Sequence, residues 1–146
     1  MGLLLWSVAL VWLLIAGGIQ SQQTTDAITF SGQAEAASLA RQMLMVANTI
    51  SLWRHHHPDQ DVLPPVNQMP GMSFPPDSRI HWQLQAGRLW VWTAERPGLM
   101  SSLRSHSRHS HLLGFARQRH FIFSDGQASG LSVPAAIPEN AIVYLN

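Results

Sequence analysis

The run from Gly2 to Ile19 (GLLLWSVALVWLLIAGGI) carries no charged side chain, and the first charged residue of the chain is Asp26. At helical rise such a run spans roughly 27 Å, close to the hydrocarbon thickness of a bilayer, which predicts one membrane-crossing helix. A cleaved secretory signal is the competing expectation, because Ala16-Gly17-Gly18 resembles a small-residue cleavage site. No Lys or Arg precedes Arg41, so the basic leader of an ordinary signal is missing and a retained anchor is favoured. No second run of the 146-residue chain matches it, since Met43–Ile50 is already interrupted by Asn48 and Thr49.

The chain beyond the anchor is long enough for one domain with a modest core. The expected division is an anchor over 1–20, a linker over 21–30 and a single α+β domain over 31–146. There are no cysteines, which excludes disulfides, thiolate metal sites and cysteine nucleophiles. All nine basic residues are Arg, and with eight acids the formal charge is only +1, which gives no support to nucleic-acid binding.

Beyond the polar stretch Gln20–Thr25, with Asp26 or Ser31 as a candidate helix cap, apolar residues recur in steps of three and four at Ala36, Leu39, Met43, Val46, Ile50 and Trp53. That spacing places one stripe on a helix that Pro58 ends, and the stripe reads as the face laid on a sheet, with a coiled-coil seam as the alternative. Six prolines between Pro58 and Pro76 predict an irregular connection. A hairpin comes next, with Ile80, Trp82 and Leu84 alternating over Arg79–Gln85, a turn at Ala86-Gly87, and a return strand Arg88–Thr93. The return strand is apolar on both faces, Leu89 and Val91 on one and Trp90 and Trp92 on the other, so it is either buried twice or lends its Trp face to a partner.

Pro97 opens a second expected helix, closing near Gly114, and Phe115–Phe123 and Ala141–Leu145 read as further strands around a Gly/Ser/Pro segment from Ser124 to Pro138. The predicted fold class is α+β: an N-terminal transmembrane helix, then a small two-layer domain with helices packed on an antiparallel sheet.

Few residues suggest chemistry. His55-His56-His57 with Asp59 and Asp61 are metal-ligand types, but consecutive residues diverge and the HExxH arrangement is missing, so a solvated helix end is the simpler reading and no metal site is expected. From Arg96 to His120 there are five Arg, four His and no acid, a polar helical face suited to anionic headgroups or an acidic partner. Ser102, His106 and Asp125 make a triad only on paper, with no GxSxG elbow and no phosphate loop, so neither catalysis nor a cofactor is expected. The candidate partner contacts are Trp90, Trp92, Arg104 and Arg108.

The apolar N-terminal segment, RIHWQLQAGRLWVW (79–92), PGLMSSLRSHSRHSHLLG (97–114) and LSVPAAIPENAIVYLN (131–146) together resemble the small PilM proteins of plasmid-encoded type IVb thin pili, which are distinct from the actin-like ATPase of the same name. The resemblance implies a single-pass inner-membrane accessory protein of a conjugative pilus assembly machine. It also implies a periplasmic domain and other pilus-assembly proteins as partners. It brings no catalytic residues. A minor pilin is the alternative, though Ser7 stands where processed pilins usually carry Glu. A periplasmic His-rich metal-binding protein is the alternative from a different class.

Overall fold

A computed structural model describes residues 2–72, 74–108, 110 and 112–146, with side chains from Thr29 onward within those ranges. The chain divides into two units, Met1–Ala34 and Glu35–Asn146. Helix α1 is Gly2–His56. The residues expected to form a linker and cap, Gln20 to Ser31, therefore have helical backbone; none is a proline, and Gln, Ala, Ser and Thr are tolerated inside a helix. Among the described residues no helix is long and apolar enough to cross a membrane; the anchor predicted over Gly2–Ile19 lies outside the described side chains.

Within the second unit the helical stripe does what its spacing predicts. Ala36, Leu39, Met43, Val46, Ile50 and Trp53 are all buried, and Ala40 and Ala47 widen the stripe with small side chains. Helix α1 ends at His56, just ahead of Pro58. The connection beyond it is irregular apart from a 3-10 turn, Val66–Gln68.

Six strands complete the chain: β1 (His81–Gln85), β2 (Arg88–Thr93), β3 (Leu113–Arg117), β4 (His120–Phe123), β5 (Ala128–Ser132) and β6 (Ile142–Leu145), with helix α2 (Leu99–His106) between β2 and β3. They form one antiparallel sheet in the order β1-β2-β6-β3-β4-β5. The expected hairpin is β1–β2, and its Ala86-Gly87 turn takes φ of 53° and 74°, the left-handed pair that a two-residue hairpin turn requires. Helix α2 carries the chain from β2 to β3 and leaves a gap that the last strand fills, so β6 pairs with both.

The central strands are buried on both faces. Leu89, Val91, Leu113 and Ile142 join the α1 stripe, Leu99 and Leu103 of α2, and Val66, Met69 and Met72 of the connection in one core. Trp90, Trp92, Ala116, Val143 and Leu145 point the other way, into a second core that the curl of the sheet closes with Phe121, Val133 and Ile137. Trp90 meets Phe121 edge-on at 6.1 Å, and Phe121 meets Phe123 at 5.4 Å.

Three expected elements differ. The second helix stops at His106 rather than near Gly114, because Leu113 and Gly114 are taken into β3, opposite Tyr144 and Val143 of β6. Phe115–Phe123 is a hairpin rather than one strand, turned by Gln118 and Arg119 at φ of 50° and 66°. The segment Ser124–Pro138 contains β5, paired with β4 across a break in register.

Candidate interaction surface

The core stripe uses one side of α1. Next to it, Met45, Thr49, Leu52 and His56 recur at i, i+4, i+7 and i+11 and form a second row about 100° away. Met45 and Leu52 are 48% and 51% exposed, unusual for large apolar side chains spaced along one helix face.

The proline-rich connection runs against this row. Val66, Met69 and Met72 are buried in the first core, and the backbone bond from Met69 N–H to the Val66 carbonyl (3.1 Å) closes the turn. At the far end Asp77 N–H donates to the Gln42 side-chain oxygen on α1 at 2.8 Å. Arg79 then clasps Asp77 through Nε (2.9 Å) and Nη2 (2.7 Å), and Arg79 and Arg96 both donate to Glu35 on α1. The Arg79 guanidinium holds the Asp77 carboxyl down to about 2, and lowers that of Glu35 by the same hydrogen-bonding and charge effects, with Arg96 adding to it. The connection is thus pinned by packing at one end and by charge-assisted hydrogen bonds at the other.

Between helix and connection lie two neighbouring hollows. One, of about 360 Å³, is lined by Thr49, Leu52, Trp53, His56, His57 and Pro70. The next, of about 480 Å³, is lined by residues including Met45, Met72, Phe74 and Pro75. Phe74 is 79% exposed at its rim. Pro70, Pro75 and Pro76 have no N–H, so this wall offers apolar surface with few backbone donors. A surface held this way is preorganised, and little ordering entropy opposes binding to it.

The four residues expected to contact a partner do not form one surface. Trp90 and Trp92 are 3% and 6% exposed: of the two possibilities for the doubly apolar strand, burial on both faces is realised. Their indoles are covered by the chain's own second core and are not available to a partner in this fold. Arg104 donates from Nη2 to the Ser124 carbonyl, fastening α2 to the residue after β4. Arg108 alone is exposed, at φ of 54° just past the end of α2. Nor is the Arg/His stretch one helical face: Arg96 reaches Glu35, Arg117 lies 5.0 Å over the Phe115 ring in β3, and Arg119 is in the β3–β4 turn.

Two of the three consecutive histidines fold back on the end of α1. His56 and His57 direct Nδ1 at the Leu52 and Trp53 carbonyls at 2.8 and 2.9 Å, which makes Nδ1 the protonated nitrogen, and His57 stacks on Trp53 at 4.6 Å. Arg54 donates to the Gly87 carbonyl at 2.9 Å and ties the helix end to the β1–β2 turn. The two imidazoles thus add a second donor at carbonyls of the last turns, the Trp53 carbonyl also accepting from the His57 N–H at 3.0 Å. Among the described residues no three His, Asp or Glu side chains gather as metal ligands; His109 and His111 lie outside them.

The row of Met45 and Leu52 was missed in the sequence, although a signal exists: each sits one residue ahead of a core position, Val46 and Trp53, so α1 has more apolar residues than its stripe needs. Phe74 is likewise the one aromatic residue between Pro58 and Pro76.

Comparison with known proteins agrees with this architecture. A search among curated proteins finds no match. Among solved structures the chain is similar to a crystal structure of a PilM protein from Escherichia coli B7A, with 25% identity and a TM-score of 0.65 over 77% of this chain and 92% of that one. The PilM family model matches residues 11–145, nearly the whole sequence, and the chain belongs to the PilM family.

Proposed function

We propose that this protein is a membrane-anchored accessory component of a type IVb conjugative pilus assembly machine, and that it works by binding other assembly proteins rather than by catalysis. The observation that carries the proposal is the family match over residues 11–145. The uncharged run Gly2–Ile19 supports an inner-membrane anchor, with the domain from Glu35 onward on the periplasmic side. The exposed row of Met45 and Leu52 beside Phe74 supports contact as the mode of action, because apolar side chains gathered on a rigid surface are the usual core of a protein interface. Chemical crosslinking in membranes that carry the whole pilus operon, followed by co-purification, tests it: recovery of a pilus-assembly protein supports the reading, and recovery of none contradicts it.

A minor pilin-like subunit is the second reading. It is favoured by one observation, that the helix Gly2–His56 includes both the apolar run and the stripe that packs on the sheet. The mature N-terminus discriminates: a start at Leu3 identifies a processed pilin, a start at Ile19 a secreted protein, and an intact Met1 the anchored component.

A further inference from the structure

The sheet has two edges, and they differ in kind. Strand β5 is irregular, with a register break opposite His120 and Ile122 and a left-handed Gly130 (φ 74°), features that twist an edge away from further pairing. Strand β1 is regular. Its five residues, His-Trp-Gln-Leu-Gln, include no proline, no bulge and no Lys, Arg, Asp or Glu, so it lacks the devices by which an edge strand refuses a neighbour.

The hairpin turn determines which groups of β1 face outward. Gln85 and Arg88 flank a two-residue turn and form its closing hydrogen-bonded pair, so Gln83 and His81 also pair inward with β2. Trp82 and Leu84 then direct their N–H and C=O to the free edge, and no backbone hydrogen bond reaches them there from any described residue. Trp82 and Leu84 pack toward the α1 core, whereas His81 lies against Trp92 on the opposite face, at 5.8 Å between rings.

We infer that β1 pairs antiparallel with β1 of a second copy of this chain, about a two-fold axis through Gln83, joining the two sheets edge to edge. The sequence around that axis is self-complementary: polar, apolar, polar, apolar, polar. Antiparallel pairing sets Trp82 opposite Leu84 of the second copy, and the reverse, forming two hydrogen-bonded pairs with four new backbone bonds. The aromatic and aliphatic side chains meet on the α1 face, and Gln83 meets its own copy on the other. With no formal charge in the strand, no like charges oppose across the axis. A segment of five residues makes a small interface, and tethering both copies in one membrane supplies the effective concentration that favours it. The pairing geometry rests on the fold alone, and the gain from tethering rests on the membrane anchor of the proposed function.

The chain has no cysteine, so single-cysteine variants of the full-length protein give a clean test in membranes. On the proposed axis the two Gln83 residues form a non-hydrogen-bonded pair with Cα atoms about 4.5 Å apart, within disulfide range. Gln83→Cys under mild oxidation should therefore give a band at twice the monomer mass. Gln85→Cys, about 14 Å from its own counterpart in that register, should give about tenfold less. Co-expressed Gln85→Cys and His81→Cys chains should crosslink to each other, because these positions face one another across the axis. A monomeric Gln83→Cys overturns the inference, as does equal crosslinking of Gln85→Cys alone. Crosslinking of Gln83→Cys to a different protein also overturns it, since the edge would then belong to a partner strand.

Discussion

Gly114 in β3 lies tightly against β4 and the Phe121 ring of the second core. A Cβ built there would meet the Ile122 carbonyl oxygen at 2.1 Å and two carbons of the Phe121 ring at 2.8 Å. The nearest atom is main chain in β4, which cannot rotate away as a side-chain tip can. Relieving the contact fully requires a shift of roughly 1.4 Å between β3 and β4, to reach ordinary contact near 3.5 Å. Overpacking a core costs about 1–3 kcal/mol, and a weakened ladder hydrogen bond adds about 1 kcal/mol, so Gly114→Ala should destabilise by about 3 kcal/mol. For a chain of this size that is a fall in Tm of roughly 10 °C. Gly126→Ala is the comparison, with φ of 92° and open space around its Cβ. It carries only the left-handed backbone cost of about 1–2 kcal/mol. Thermal unfolding of the full-length chain, followed by circular dichroism in the far and near ultraviolet, measures both. If Gly114→Ala melts at or above Gly126→Ala with the near-ultraviolet signal unchanged, the close approach of β3 and β4 around Phe121 is refuted.

The Thr93 hydroxyl is buried with no hydrogen-bond partner among the described residues, so Thr93→Val should stabilise by about 1 kcal/mol in thermal or denaturant unfolding. Asp77 titrates at about 2, below its unfolded value. Its contribution is therefore fully present above about pH 4 and is lost as pH falls towards 2. Acid titrations of stability should show Asp77→Asn losing less than the parent over that window, by about 1 kcal/mol once solvent screening is allowed for. Leu52→Asp should leave Tm within about 2 °C, because the side chain is half exposed, while, on the proposed function, conjugative transfer by cells carrying the variant falls sharply; a variant that transfers normally removes Leu52 from the contact surface.

Where local chemistry and tertiary packing agree, the fold was legible in the sequence. The α1 stripe was readable because steps of three and four repeat through Trp53, and the first hairpin because Ala86-Gly87 combines a glycine turn with alternating strands. The second hairpin was not readable, because Gln118 and Arg119 take left-handed backbone without a glycine to mark it. Strand β5 has the composition of a turn, Ala-Ser-Gly-Leu-Ser, and is a strand through its pairing with β4. The polar run after α2 kept helical spacing on paper, but β6 claims Leu113 for the sheet. For the Trp pair the sequence left two outcomes open, and only the curl of the sheet chooses between them. The exposed surface was the least legible feature, since it exists only where the proline-rich connection returns along α1, a juxtaposition that no local pattern encodes.

Site-specific photocrosslinking reads contact through α1 and the connection in the cell. A photoreactive residue is placed at Leu52 or Phe74, and at the exposed Gln127 in the β4–β5 turn as a control, in cells carrying the complete pilus operon. Contact through this surface gives adducts with one pilus-assembly protein from Leu52 and Phe74 and none from Gln127. Adducts from Gln127 alone, or none from any position in cells that still make functional pili, would contradict it.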